Sequence, residues 1–337
     1  MHTIMLDKPG HIRVVESEVP EIRENEVLLE MVYAGLCGTD LGSYRGTNPL
    51  VSYPRIPGHE ICARIAEKGK EVPATCCIGD LVTASPYSSC GKCTACRKGQ
   101  SNACVHNQTL GVQRDGAMQQ YFVLCWEKLY HSDILKPEEL VLTEPLSVGS
   151  HAVNRGQVAA GETVLVLGCG TIGMGALIAA VSRGGKIIAA DPALPKLDMA
   201  RKFGALHVIN PATENLTEAV FQYTGGEGAS VVIEAAGTPA SYQAALEAVA
   251  YAGKMICIGY AQKDIPLNTS LMVKKELCIL GSRNALNEFA TVIQVLEARQ
   301  FPYTSLITAI HPVMKAREVF ASWDEDPGAS MKILLAF

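Results

Sequence analysis

The sequence predicts an α/β protein of two domains, a small β-barrel and a doubly wound parallel sheet. Three observations carry this. The chain has 337 residues, long for one domain and comfortable for two at roughly 100–200 residues each. Its first third is rich in valine and in short segments broken by glycine and proline. Its middle alternates apolar strands with small-residue helices, starting at a glycine-rich turn.

Taken in order, "HIRVVESEVP", "NEVLLEMVYAGLCG" and "GDLVTASPY" read as strands bounded by turn residues. From Gly161 the text runs "GETVLVLGCGTIGMGALIAAVSRGGKIIAAD". A buried strand enters a glycine turn, a small-residue helix follows, and a second strand ends in an aspartate, which is a βαβ unit. The alternation continues: "LDMARKFGALHVIN" is helix then strand, "SVVIEAAG" strand, "ASYQAALEAVA" helix, "GKMICIGY" strand and "LCILGS" strand. After Ser282 a helix ("EFATVIQVLEAR") and a closing strand ("MKILLAF") remain. That tail is too short for a domain and is expected to pack back on the first one.

Composition excludes several classes. Hydrophobic content is 48% and charged content 19%, well away from disorder. The 29 basic and 34 acidic side chains are well mixed and give a net charge of -5. Without a basic run or stripe, nucleic acid is not an expected partner. No apolar stretch approaches the ~20 residues needed to span a bilayer. "MHTIMLDKPGHIRVVE" lacks the charged lead and apolar run of a signal peptide. A cytoplasmic location is therefore expected, and there clustered cysteines, part of a total of 12, indicate metal rather than disulfides.

Residues 90–104 read "CGKCTACRKGQSNAC". Cys90, Cys93, Cys96 and Cys104 can converge on one tetrahedral ion. Four thiolates with no open position describe a structural zinc, although thiolates also suit an iron–sulfur cluster. Bacterial-ferredoxin spacing is missing, and Lys92, Arg97 and Lys98 would offset the negative charge of the thiolates.

Gly168-Cys169-Gly170-Thr171-Ile172-Gly173 is G-x-G-x-x-G, after a strand and opening a helix, the context that gives the pattern meaning. Its glycines allow the tight turn, the approach of a pyrophosphate and close helix–strand packing. The helix start offers free N–H groups to phosphate. Asp191, at the end of the next strand, suits the ribose hydroxyls of NAD and disfavours the 2′-phosphate of NADP; Lys196 nearby weakens that preference.

A second set of metal-type donors is scattered: Cys37 in "GLCGTD", His59 and Glu60 in "PGHE", and Glu144 in "LTEPLSV". A lone cysteine or histidine is more often core than ligand. Together these make a sulfur, nitrogen and oxygen set, and three protein ligands plus an exchangeable position describe a catalytic zinc.

"GLCGTD", "PGHE", the C-x2-C-x2-C-x7-C lobe, "LTEPLSV" and "GCGTIG…AAD" occur in that order, and the chain resembles the zinc-containing medium-chain dehydrogenase/reductase (alcohol dehydrogenase) superfamily over essentially its whole length. Glu144 and "GSRN" at 281–284 are similar to the polyol and sugar-acid branch, which includes sorbitol dehydrogenase, threonine 3-dehydrogenase and L-galactonate or L-gulonate 5-dehydrogenases. The resemblance implies a GroES-like β-barrel catalytic domain over 1–147 and 282–337, with a Rossmann NAD-binding domain over 148–281 inserted into it. It implies zinc ligation by Cys37, His59 and either Glu60 or Glu144, one catalytic and one structural zinc per chain, and reversible oxidation of a secondary alcohol by NAD.

Thr39 matches the family position whose hydroxyl takes the substrate proton. Gly42 stands where many relatives carry a proton-passing histidine, so proton release is expected through the ribose and water. Asp40 reads as an anchor rather than a base. Arg283 resembles a pocket-facing arginine and is expected near cofactor and substrate. Tyr44 and Arg45 fall where this branch lines its pocket, although a surface salt bridge is an equal alternative for Arg45, and Arg55 is open in the same way. Arg283 and Arg45 together favour a polyhydroxylated acid over a small alkyl alcohol. Rival expectations are an amino alcohol such as L-threonine and a non-enzymatic NAD-binding protein. The family suggests a homodimer or homotetramer.

Overall fold

Runs of branched residues bounded by glycine, proline and aspartate form the strands. Seven precede residue 145: β1 (His2–Lys8), β2 (His11–Glu16), β3 (Glu26–Gly35), β4 (Glu60–Lys68), β5 (Leu81–Ala84), β6 (Tyr121–Cys125) and β7 (Leu129–His131). Six follow in the middle: β8 (Thr163–Leu167), β9 (Lys186–Ala190), β10 (His207–Ile209), β11 (Ala229–Glu234), β12 (Val249–Cys257) and β13 (Cys278–Gly281). β14 (Ile307–Pro312) and β15 (Lys332–Ala336) close the chain. This computed structural model describes residues 1–261 and 263–337. Two compact units result, Met1–Glu144 with Phe289–Phe337, and Pro145–Glu288.

In the first unit the strand order is β14-β15-β3-β4-β5-β7, with β6 also on β3 and β1-β2 as a separate hairpin. Pairing is antiparallel except between β14 and β15. β3 is central and mostly buried, and its apolar side chains join Ile4, Leu6, Ile61, Ile65 and Phe320 in one core. Burying each such side chain contributes about 1.5–3 kcal/mol. The tail reaches this core through β15, which pairs with β3. The sequence leads one to expect one helix and one strand in that tail; the structure adds β14 and the helix Ala316–Glu325. β14 has half its residues exposed and ends in proline, so its apolar signal is weak.

The second unit is a six-stranded parallel sheet in the order β10-β9-β8-β11-β12-β13. This is the doubly wound order, and its connections reverse direction between β8 and β11. β8 and β11 are almost wholly buried, as central strands covered on both faces must be. Asn215 and Thr238 cap the following helices with their side chains. Among the described residues no helix is long and apolar enough to cross a membrane.

Candidate active site and metal centres

Three of the scattered donors meet. Cys37, His59 and Glu60 each offer an atom within 4.8 Å of the others. Cys37 precedes the helix Gly38–Arg45, and its N–H donates to Asp40 Oδ2 at 3.0 Å. The other oxygen of Asp40 accepts from Gly58 N at 3.3 Å, so one buried carboxylate ties the Cys37 loop to the His59 loop. Glu60 opens β4 opposite Gly35, the last residue of β3. A Cβ on Gly35 would lie 2.0 Å from Glu60 Oε2, so only glycine lets the carboxylate cross there. Thr39 Oγ1 lies 3.7 Å from Cys37 Sγ.

Two partners of the site carry no signal strong enough to find in the sequence. Lys332, the first residue of β15, places its Nζ 2.6 Å from both oxygens of Glu60 and donates to Leu36 O at 2.8 Å. Its one mark in the sequence is a charge at the head of an otherwise apolar strand. The Tyr87 hydroxyl donates to Glu144 Oε1, with both side chains buried. Glu144 opens the helix Thr143–Gly156 and is outside the group of three.

The electrostatics call for a cation. Burial raises the carboxyl of Glu60 to about 7, against the pull of Lys332. Burial likewise raises Glu144, against the pull of His59. On His59 burial disfavours the charge, but Asp40 and Cys37 outweigh it and hold the imidazole well above its ordinary value. His59 Nδ1 is buried 3.8 Å from Asp40 Oδ1 and has no hydrogen-bond partner among the described residues. Sulfur, imidazole and carboxylate oxygen converging in a buried, anion-rich pocket fit zinc, whose bonds of about 2.0–2.3 Å require such closeness.

The four-cysteine lobe converges too. Cys90, Cys93, Cys96 and Cys104 bring their sulfurs within 4.8 Å of one another. Cys93 Sγ lies 3.5 Å from that of Cys96 and 3.8 Å from that of Cys104. Backbone N–H groups point at the sulfurs, as from Cys90 and His106 to Cys104 Sγ at 3.3 Å. Donation from the amides of Cys96 and Val105 lowers the Cys93 thiol to about 6, while burial raises Cys96 to about 11. All twelve cysteines are free thiols. Four sulfurs filling a tetrahedron fit a structural zinc and leave no place for substrate.

In the second unit the glycine turn has the geometry its pattern calls for. Gly168 has φ +90 and leaves β8 in the left-handed region that favours glycine. A Cβ on Gly173 would lie 1.8 Å from Gly168 O, whereas one on Gly170 would meet nothing within 4 Å. Space for a ligand therefore opens at Gly170, where the helix Thr171–Ser182, with Thr171 and Ile172 in its first turn, starts without a side-chain cap. Asp191 already holds the turn: its Oδ2 accepts from Cys169 N at 2.8 Å and its Oδ1 from Ala193 N at 2.9 Å. Lys196 is half-buried on the helix Leu194–Lys202, close enough to influence the Cys169 thiol. Arg283 follows β13, at the same C-terminal sheet edge as Gly168 and Asp191.

Other expected residues are committed elsewhere. Tyr44 and Arg45 are not brought to the ligand group, because the last turn of their helix faces the helix Ala316–Glu325. Tyr44 packs against Phe320 with ring centroids 5.6 Å apart, and Arg45 pairs with Asp324 at the surface. Arg55 pairs with Asp115 at 2.9 Å and bonds Ser52.

Comparison with known proteins identifies the family. Residues 23–134 match the alcohol dehydrogenase GroES-like domain, and residues 171–298 match the zinc-binding dehydrogenase family. A zinc-type alcohol dehydrogenase-like protein of Haemophilus influenzae is 35% identical over 99% of this chain and 98% of its own. L-galactonate-5-dehydrogenase of Escherichia coli is 30% identical over 95% and 94%. A short chain alcohol dehydrogenase from Escherichia coli, solved with NADH, superposes with a TM-score of 0.93 at 29% identity, covering 100% of this chain and 99% of that one. The chain belongs to the zinc-containing medium-chain alcohol dehydrogenase superfamily and is an oxidoreductase of its alcohol/polyol dehydrogenase type.

Proposed function

We propose that the chain oxidises a secondary alcohol of a polyol or sugar acid with NAD, reversibly, in the cytoplasm. The observation that carries this is the buried meeting of Cys37, His59 and Glu60, with Glu144 beside them, in a chain whose second unit presents an open glycine turn. When bound, zinc supplies the Lewis acidity that makes an alcohol hydroxyl acidic, and NAD the hydride acceptor. Cys37, His59 and a glutamate hold the metal, and Asp40 fixes the spacing of the two loops that carry them. The hydroxyl of Thr39, beside the Cys37 sulfur, would accept the proton of the alcohol while passing its own to the ribose hydroxyl and on to water. Gly168, Gly170 and the start of the helix Thr171–Ser182 receive the pyrophosphate, and Asp191 the ribose. Asp191 supports NAD over NADP.

The similarity to L-galactonate-5-dehydrogenase favours a polyhydroxylated acid, for which Arg283 is the remaining arginine candidate. Among the described residues β13 ends the parallel sheet with an unpaired edge, which supports assembly with a second copy into a homodimer or homotetramer. The test is NAD reduction over sugar acids, alditols and L-threonine with zinc present. Turnover of a sugar acid or alditol is expected. Reaction with amino alcohols alone would move the substrate to that class. Full turnover by Cys37→Ser would end the zinc mechanism.

A further inference from the structure

The two buried glutamates beside Cys37 and His59 are held by different chemistry. Glu60 belongs to the ligand group and carries the Lys332 ammonium on both oxygens at 2.6 Å. Glu144 is outside that group, yet its charge acts on His59 and on Glu60. The Tyr87 hydroxyl donates to its Oε1. A neutral phenol orients a carboxylate and leaves its charge intact, unlike an ammonium.

Tyr87 is itself placed firmly. Leu110 N donates to Pro86 O at 3.1 Å, Lys128 Nζ to Tyr87 O at 2.8 Å, and Asn107 Nδ2 to Ser88 O at 2.7 Å. The bonds from Leu110 and Asn107 fasten the segment around Tyr87 to the chain leaving the four-cysteine lobe, and Lys128 ties it to the turn between β6 and β7. A phenol keeps its proton at neutral pH, so Tyr87 is a donor to Glu144.

We infer that Tyr87 is a latch: its hydroxyl holds Glu144 out of the Cys37–His59–Glu60 ligand group, keeping the fourth metal position open for substrate. A buried carboxylate next to a divalent cation is drawn into its coordination shell unless another donor retains it. A fourth protein ligand would close the site in the way that structural zinc sites are closed. The inference rests on the proposed catalytic metal and makes Tyr87 a positioning residue.

The experiment uses the full chain with cobalt exchanged into the catalytic site, with Tyr87→Phe, Glu144→Gln and the double variant. Tyr87→Phe is expected to release Glu144 to the metal. Metal retention against a chelator then rises about 10–100-fold, the range reached by changes behind metal ligands. The visible cobalt bands shift, and KM for the alcohol rises. Thermal unfolding and the four-cysteine metal serve as folding controls. The double variant is expected to return retention and spectrum to those of the unmutated protein. Unchanged or weakened retention in Tyr87→Phe, or no reversal in the double variant, would overturn the latch. If Tyr87→Phe does not fold, Glu144→Gln decides alone: unchanged retention is expected, and a tenfold loss makes Glu144 a ligand and overturns it. A single metal in the unmutated protein, seen before any variant is made, would instead remove the catalytic zinc and the latch with it.

Discussion

Lys332 and Glu60 form a buried ion pair in which the ammonium lies 2.6 Å from both carboxylate oxygens, with side-chain exposures of 3% and 1%. The pair joins the last strand of the chain to the first residue of β4, across Gly35 at the end of β3. Breaking one partner strands the other charge. Lys332→Met is expected to cost about 3–5 kcal/mol, and Lys332→Met with Glu60→Gln to recover most of that, because a matched neutral pair no longer leaves a charge uncompensated. Urea midpoints of the two variants check it; equal losses would mean the pair is not what holds the strand.

The lobe predicts a separation of stability from chemistry. Cys96→Ser removes one of four converging sulfurs, so about one metal per chain should be lost and unfolding should come at a lower temperature. The hydride step in the surviving folded fraction should be unaltered. Metal analysis, a melting curve and the deuterium isotope effect on alcohol oxidation measure the three effects separately. An altered isotope effect with an unchanged melting curve would reverse the roles.

Asp191 braces the glycine turn and is the proposed ribose acceptor, and its variant should report on both roles. Its oxygens accept the N–H groups of Cys169 and Ala193, and by the proposed function they also meet the ribose. Asp191→Ser should lower the preference for NAD over NADP by about 10–100-fold, as expected for losing charged hydrogen bonds worth ~1.5–3 kcal/mol. It should also weaken both cofactors, since the glycine turn loses its brace. The ratio of kcat/KM values for the two cofactors is the measurement, and an unchanged ratio counts against Asp191 as the ribose acceptor.

Acid should loosen the second unit through Glu288. Burial alone would raise this carboxyl from 4.5, but hydrogen bonds from His151 and Asn154, the charge of His151 and the N–H of Leu286 lower it to about 2. The folded value is therefore depressed. Its contribution to stability is fully present above about 4.5, and is lost as pH falls from there through about 2. Glu288→Gln should be less stable than the unmutated protein at neutral pH, and the gap should narrow across that acid window. Urea midpoints between pH 2 and 6 test the sign; a gap that widens in acid would contradict it.

Much of this site was legible because its parts are local. Gly168 and Gly173 announce a turn whose φ and close contacts only glycine tolerates, Gly170 leaves it open, and neighbouring residues supply every element of it. The four cysteines span fifteen residues, so their spacing alone constrains where the sulfurs can go. Cys37 and His59 were legible as donors from the residues alone, but as neighbours only through the family resemblance, since no local spacing joins them. Tyr44 and Arg45 show the limit from the other side. They follow Cys37 closely in the chain, yet the helix that carries them turns them toward Phe320 and Asp324.

The sequence by itself determined the doubly wound sheet, the fingerprint turn and the closed thiolate lobe, because periodicity and short-range spacing encode them. Only the tertiary structure decided which partner each buried glutamate receives. Lys332 reaches Glu60 across 272 residues of chain, and Tyr87 reaches Glu144 across 57. Such pairings depend on strand register and on which side chains are sealed from water together, and no local pattern records either.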